Sequence, residues 1–359
     1  MPANETDDRQ LMSKMQDLVQ KTIQRTVKGV QFVNSTPANV GLTAKDLIYS
    51  RGTLRLYHYH PMSDEIYRVP IMIVMATTNR GYLFDLLPGQ SMVEFLLKRG
   101  FDVYVVDWEP PLPSERGLRL ADYTDDFLPT CVQKIKADCG EPDVSIVGYC
   151  QGGILSLIYA ATHTGGPLKN IVCLTTPVNQ AEMGLFKIWS DERYLDVDQL
   201  VDSLGIIPGE FIERGFEMLR PAQKTAGQLR LWDQIWDDEY VRSYQAFERW
   251  GNETLPLAGE YYRDTTKELL WGNKLYKGTL KINGKVADLA NIKIPVMNVM
   301  AEHDHIAPYK STKPLLDLVG SQDKEELVLK GGHVSLIAGP RAVKRMWPAL
   351  ETWLSERSV

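Results

Sequence analysis

The feature that most constrains this chain is a short segment in which an apolar run, a glycine-flanked turn and a second apolar run follow one another. Residues 144–147 are mostly apolar and β-prone, residues 148–152 read Gly-Tyr-Cys-Gln-Gly, and residues 154–163 have a helical composition. This strand, turn and helix are the context of a nucleophile elbow, Gly-x-Ser-x-Gly, with cysteine at the central position. Gly148 and Gly152 lack the Cβ atoms that would collide where the strand and helix backbones approach each other.

The chemistry of this turn depends on Cys150, which the pattern places at the start of a helix. The positive end of a helix dipole favours a thiolate, and the thiolate is the reactive form of cysteine. The alternative is an inert buried thiol, since free cysteine is among the most buried residue types. The complete strand-to-helix context favours the nucleophile.

Composition excludes several classes of protein. The 359 residues include 44% hydrophobic residues and carry a net charge of −6, with no basic patch that would indicate nucleic-acid binding. Four cysteines show no zinc-ligand spacing, which predicts no metal site and a reducing compartment. The polar, acidic N-terminus is unlike a signal peptide, and no apolar run reaches about 18 residues, so no membrane span is expected.

Strand-like and helix-like segments alternate along residues 71–175. Buried apolar runs at residues 70–76, 102–107, 144–147 and 170–175 are separated by helical patterns, including a capped helix over residues 91–100 and one over 120–137. This alternation predicts a mostly parallel sheet with helices on both faces. Ligands of such sheets bind beyond the carboxyl ends of the strands, where Cys150 is expected.

The alternation stops over residues 177–272, which are rich in tryptophan, tyrosine and acidic residues and contain no clear strand. We interpret this segment as an inserted cap whose aromatic residues either line an acyl channel or pack the cap's own core. The predicted domains are therefore an N-terminal helical extension (1–40), a first core segment (41–176), the cap (177–272) and a second core segment (273–359). An Asn-Gly turn at residues 283–284 predicts a hairpin in the last of these.

Two segments near the N-terminus have helical signals. Residues 11–33 have apolar residues at helical spacing, which predicts an amphipathic helix that packs on its own domain or docks on a partner. Residues 43–46 (Thr-Ala-Lys-Asp) have the capping pattern of a short helix.

Three residues form a candidate catalytic triad. In the α/β-hydrolase fold the acid and then the histidine follow the nucleophile, and this chain offers Cys150, Asp304 and His333 in that order, each after a predicted strand. His305 is a secondary candidate because it neighbours the acid. The predicted oxyanion hole pairs the backbone N–H of Gln151, after the nucleophile, with one N–H from residues 77–79, Thr78 or a neighbour, in the loop after the 70–76 strand.

The sequence resembles the catalytic subunit of short, two-subunit polyhydroxyalkanoate synthases. The matching pieces run from about residue 40 to the C-terminus: 147–153 (VGYCQGG), 101–108 (FDVYVVDW), 205–210 (GIIPGE), 259–263 (GEYYR), 286–292 (VADLANI), 304–306 (DHI) and 331–333 (GGH). The resemblance implies an α/β-hydrolase fold with an inserted cap. It also implies that Cys150 is the acylated nucleophile and that Asp304 and His333 complete the site.

The same resemblance implies an acyltransferase that polymerises (R)-3-hydroxyacyl-CoA, 3-hydroxybutyryl-CoA in particular, and releases coenzyme A. No cofactor is expected, because coenzyme A belongs to the substrate and is a product. The implied partners are the growing polyester, a second synthase subunit of the class III or class IV kind, and further copies of the chain. The implied location is the cytoplasm, at the surface of polyester granules. A Cys-Asp-His hydrolase of the dienelactone hydrolase or esterase kind and a non-catalytic granule protein remain as alternatives.

Overall fold

The computed structural model describes residues 4–358, with side chains from residue 12 onward. The described residues form two compact units. The smaller unit combines residues up to 39 with residues 220–249, and the larger combines 40–219 with 250 onward. The N-terminal segment and the middle part of the predicted cap therefore belong to one unit, whereas the remainder of the cap belongs with the core.

The larger unit is organised around one eight-stranded sheet. Its strands are β1 (Lys45–Arg51), β2 (Leu54–Tyr59), β3 (Ile71–Val74), β4 (Val103–Trp108), β5 (Val144–Tyr149), β6 (Leu168–Leu174), β7 (Val296–Ala301) and β8 (Lys324–Leu329). Their order across the sheet is β1-β2-β4-β3-β5-β6-β7-β8, and all pairs are parallel except β1 with β2 and β2 with β4. The central strands β3 and β5 are buried along their whole length, as expected of parallel strands covered on both faces.

The α-helices are α1 (Asn4–Val33), α2 (Met92–Leu97), α3 (Leu128–Cys139), α4 (Gln151–Thr162), α5 (Leu185–Trp189), α6 (Val197–Leu204), α7 (Gly209–Leu219), α8 (Gln223–Asp233), α9 (Asp238–Asn252), α10 (Gly259–Asp264), α11 (Tyr309–Thr312), α12 (Leu315–Leu318) and α13 (Trp347–Ser355). Short π-helical segments precede α3 and α13 and follow α10, at Asp122–Phe127, Ala342–Met346 and Thr265–Trp271. The mostly parallel sheet with its covering helices is an α/β-hydrolase fold, so the predicted fold class is confirmed.

Several local predictions are also confirmed. Ser91 caps α2, since its side chain accepts a hydrogen bond from the Glu94 N–H at 3.0 Å. The Asn283-Gly284 turn closes an antiparallel pair, and both residues have the positive φ angles (47° and 85°) that this turn requires.

Two predictions need correction. Residues 43–46 do not begin a helix; β1 begins at Lys45 and pairs antiparallel with β2. A capping pattern is a local preference, and the ladder of hydrogen bonds to β2 overrides it. Within the cap, a short antiparallel pair joins Ile206–Ile207 to Leu257–Ala258, which the sequence pattern did not indicate.

The smaller unit contains α1, whose C-terminal half contacts residues of α8 and α9. Lys28 forms an ion pair with Asp238 at 2.8 Å, and the Phe32 ring lies 6.2 Å from that of Tyr244. Other apolar residues of α1 are at least half exposed: Met12, Met15, Leu18, Val19, Ile23, Val27, Val30 and Val33. The predicted amphipathic helix is therefore present, and it both packs within its unit and exposes an apolar stripe.

Candidate active site

Cys150 lies in the sharp turn that joins β5 to α4. Its backbone has φ 53° and ψ −116°, a positive-φ conformation that costs a residue other than glycine roughly 1–3 kcal/mol and that clusters at functional sites. The Cys150 N–H donates to the Leu174 carbonyl at 2.8 Å, which anchors the turn to the end of β6. The thiol is partly exposed.

Two glycines permit this turn. A Cβ atom on Gly148 would lie 2.5 Å from the Gly153 Cα, and one on Gly152 would lie 2.2 Å from the Val74 carbonyl oxygen. Both obstacles are backbone atoms, which cannot rotate aside as a side chain does. The prediction that these glycines remove colliding Cβ atoms is confirmed.

Asp304 and His333 come together from the loops after the neighbouring strands β7 and β8. The His333 Nδ1 and the Asp304 Oδ2 are 2.7 Å apart, and both side chains are buried. The other carboxylate oxygen, Oδ1, accepts the N–H groups of Ile306 and Ala307, each at 2.8 Å. Both oxygens are therefore engaged, and this fixes the orientation of the carboxylate and of the ring bonded to it.

The Cys150 side chain lies close enough to the same imidazole to interact with it. Because Nδ1 is bonded to Asp304, Nε2 is the ring nitrogen left for an interaction with the sulfur. Burial by itself lowers the pKa of His333, but Asp304 and Cys150 outweigh this effect and raise the pKa to about 10. Asp304 and Cys150 therefore favour the protonated form of this ring.

The two residues predicted to supply the oxyanion hole lie in the elbow and in the loop after β3. Gln151 is the first residue of α4, so its N–H has no acceptor within the helix and is available to another group. Thr78 lies in the loop after β3, and its carbonyl accepts the Leu255 N–H at 2.7 Å, which ties this loop to the region before α10.

His305 lies elsewhere than the other candidates. It is exposed, although it directly follows the buried Asp304. The geometry brings Cys150, Asp304 and His333 together and leaves His305 at the surface.

Sequence reasoning did not assign a side-chain role to three buried residues near the cysteine. Thr77 bonds to Gln151, and the Tyr261 hydroxyl lies 3.4 Å from that of Thr77. The Tyr149 ring lies 5.0 Å from that of His333. Tyr149 adjoins the cysteine in the elbow and Thr77 was within the predicted oxyanion loop, but no local signal distinguishes Tyr261 from the other aromatic residues of the cap.

Among the described residues, no group of three or more histidine, cysteine, aspartate and glutamate side chains could hold a metal ion. Over the same residues, no helix is both long enough and apolar enough to cross a membrane.

The fold and its cysteine elbow define a protein of the α/β-hydrolase class, and a family model for the alpha/beta hydrolase fold matches residues 84–340. A second model, described as the N-terminus of poly-beta-hydroxybutyrate polymerase (PhaC), matches residues 6–96. The chain belongs to the family of poly(3-hydroxyalkanoate) polymerase subunits PhaC, whose reaction is an acyl transfer.

Three relatives carry this family assignment, each named as a poly(3-hydroxyalkanoate) polymerase subunit PhaC. The proteins of Thiocystis violacea and Allochromatium vinosum are each 33% identical and match 91% and 90% of this chain and 92% of their own length. The protein of Haloferax mediterranei is also 33% identical over 89% of this chain, but the match spans only 65% of its length.

Solved structures agree on the fold alone. An esterase from Pyrococcus furiosus has a TM-score of 0.50 and 12% identity, covering 90% of this chain and 98% of its own. A structure from a study of carboxylesterases of Nitrososphaera gargenis has the same TM-score and 16% identity, covering 87% of this chain and 98% of its own.

Proposed function

We propose that this chain polymerises (R)-3-hydroxyacyl-CoA, with 3-hydroxybutyryl-CoA as the simplest substrate, through an acyl group held on Cys150. The observation that carries the proposal is the position of the His333 ring, which bonds to Asp304 through Nδ1 and also interacts with Cys150. Membership of the PhaC family supplies the reaction class.

In the acylation step, the Cys150 thiolate attacks the thioester carbonyl of the substrate. The carbon–sulfur bond to coenzyme A breaks as the new thioester to Cys150 forms, and the His333 imidazolium protonates the departing thiolate. The developing oxyanion is held by the N–H groups of Gln151 and Thr78. Loss of one such donor typically costs about 2.7–4 kcal/mol of transition-state stabilisation.

In the elongation step, the 3-hydroxyl of another acyl unit attacks the acyl group on Cys150. An ester bond forms, the thioester to Cys150 breaks, and the hydroxyl proton passes to His333. Asp304 acts through the ring, because its two oxygens are already bonded to His333 and to two backbone N–H groups. Exchange between thioesters is nearly balanced, so a cysteine keeps the acyl group reactive for this second attack.

A polymerase must also keep water from the acyl-cysteine. Aromatic residues of the cap support this requirement, since Trp250 and Tyr261 are buried. The reaction needs no cofactor, because coenzyme A enters with the substrate and leaves as a product.

The partners follow from the same proposal. Relatives are named as subunits, which supports a second synthase subunit of the class III or class IV kind. We place the enzyme, as a homo-oligomer with that subunit, in the cytoplasm at the surface of the polyester granule. Activity with and without a candidate second subunit tests this assignment, and full activity of the purified chain alone would contradict it.

The direct test replaces the nucleophile. Cys150→Ala should abolish coenzyme A release from (R)-3-hydroxybutyryl-CoA, whereas Cys173→Ala, at a buried cysteine on β6, should retain it. Retained turnover in Cys150→Ala would overturn the proposal.

The products distinguish the remaining alternatives. Insoluble polyester indicates the polymerase, and free 3-hydroxybutyrate indicates a Cys-Asp-His hydrolase. A folded wild-type protein that releases no coenzyme A, with or without the second subunit, would indicate a non-catalytic role.

A further inference from the structure

A chain of hydrogen-bonded side chains joins the two segments that carry the proposed oxyanion amides. The Thr77 Oγ1 lies 2.5 Å from the Gln151 Oε1, so a hydrogen bond spans from the loop after β3 to the first residue of α4. Thr77 is buried, and its backbone neighbour Thr78 carries one of the proposed amides. The bond therefore connects the two segments whose separation sets the width of the oxyanion hole.

Tyr261 extends this chain from the cap. Its hydroxyl lies 3.4 Å from the Thr77 Oγ1, a longer and weaker contact than the bond to Gln151. Thr77 has a single hydroxyl hydrogen, which serves the shorter bond, so Tyr261 is left as the donor to Thr77. Burial raises the pKa of Tyr261, which keeps its hydrogen in place at neutral pH, and Cys150 is close enough to add to this shift.

The surroundings of Tyr261 hold it rigidly. Its side chain has no exposed surface, and its ring lies 4.3 Å from that of Tyr123. The helix that carries it, α10, begins at Gly259, whose N–H donates to the Gly205 carbonyl at 2.9 Å and where a Cβ atom would lie 2.4 Å from that oxygen. A side chain locked in this way can fix the position of another.

We propose that Thr77 is a positioning residue for the oxyanion hole: its hydrogen bond to the Gln151 side chain sets the spacing of the Gln151 and Thr78 amides, and Tyr261 holds the Thr77 hydroxyl. The inference rests on the proposed acyl transfer, because that reaction forms the oxyanion. Donors of this kind act through their placement, and an error of about 1 Å in a reacting site can cost 10²-fold in rate.

The experiment uses the full chain and measures the single-turnover rate of coenzyme A release from (R)-3-hydroxybutyryl-CoA, together with KM and the melting temperature. Thr77→Val keeps the shape and loses the hydroxyl, so acylation should slow by about tenfold with KM within about twofold of wild type. Thr77→Ser, which restores a hydroxyl, should recover most of the rate. Tyr261→Phe should slow acylation by about threefold, since its contact is the weaker one.

A matched control removes a buried hydroxyl elsewhere. The Thr124 hydroxyl donates to the Leu120 carbonyl within its own helical segment, so Thr124→Val should alter the melting temperature without altering the acylation rate. Because Tyr261 acts through Thr77, the double variant Thr77→Val/Tyr261→Phe should be no slower than Thr77→Val alone.

Wild-type acylation rates in Thr77→Val would overturn the inference while leaving the proposed function intact. So would a Thr77→Ser variant as slow as Thr77→Val, because the hydroxyl would then be irrelevant. Absence of coenzyme A release from the wild-type protein would overturn the proposed function and this inference with it.

Discussion

Two histidine–aspartate pairs in the larger unit have the same hydrogen-bond length and very different surroundings. His333 and Asp304 are 2.7 Å apart beyond the carboxyl ends of β7 and β8. His58 and Asp102 are also 2.7 Å apart, but Asp102 precedes β4 and thus lies at that strand's amino end. The two pairs differ in the further partner of the imidazole. The His333 ring interacts with Cys150, whereas the His58 Nδ1 lies 2.8 Å from the Asp138 carboxylate.

The comparison teaches that a histidine–aspartate pair is not a catalytic site by itself. His58 is held between two carboxylates and stacked on the Tyr104 ring at 4.1 Å, so neither nitrogen is available to a substrate. In the other pair one nitrogen remains for proton transfer to and from sulfur. The chemistry belongs to the pair whose ring joins a carboxylate to a nucleophile.

The largest expected effect comes from the same substitution made in both pairs. His333→Gln should reduce coenzyme A release from (R)-3-hydroxybutyryl-CoA by more than about 10³-fold, because the proton carrier at the sulfur is lost. His58→Gln should stay within about twofold of wild type. Equal losses in the two folded variants would end the distinction between the pairs.

Substitution of the aspartate in each pair should have a smaller effect, and it separates acylation from elongation. Asp304→Asn should still acylate, since a cysteine is intrinsically nucleophilic and coenzyme A is a good leaving group. Its elongation should slow by about 10²-fold or more, because the incoming hydroxyl must lose its proton to a ring that has lost its carboxylate. Asp102→Asn should elongate at the wild-type rate. Normal elongation in Asp304→Asn, followed as polymer formed per acylated enzyme, would refute the role given to Asp304.

The smallest effect concerns stability and pH. Burial lowers the pKa of His58, but Asp102 and Asp138 outweigh it and the pKa lies above its ordinary value of 6.5. A raised pKa means that the stabilisation is fully present below about pH 6.5 and is lost as the pH rises through the folded-state value. His58→Gln should therefore lower the free energy of unfolding by about 1 kcal/mol at pH 6 and by less at pH 9.

Urea unfolding of wild type and His58→Gln at the two pH values measures this difference. His333 also titrates with a raised pKa, but it is present in both proteins and cancels in the comparison. A difference that grows with pH would contradict the assignment of a charged His58 between two carboxylates.

The sequence was most informative where a local pattern fixes the backbone. The elbow was predictable because it needs glycine at positions 148 and 152. A Cβ atom at either position would collide with the backbone where the strand and the helix approach each other. Asp304 and His333 were identifiable because each follows a buried strand, and the carboxyl ends of parallel strands share one edge.

Features that depend on distant residues were not predictable. No local pattern marks His58 as paired, because its partners lie 44 and 80 residues away in sequence. Residues 43–46 were predicted to begin a helix because a four-residue pattern contains no information about the pairing of β1 with β2. The link from Tyr261 to Thr77 spans 184 residues and has no local signal.

The backbone of Cys150 has a consequence for how such a protein changes over time. A positive φ is a conformation that glycine adopts freely and cysteine adopts at a penalty of roughly 1–3 kcal/mol. Replacing Cys150 with glycine would thus relieve backbone strain and stabilise the fold, but it would remove the nucleophile. Selection for stability therefore favours glycine at position 150, whereas selection for a reactive thiol favours cysteine.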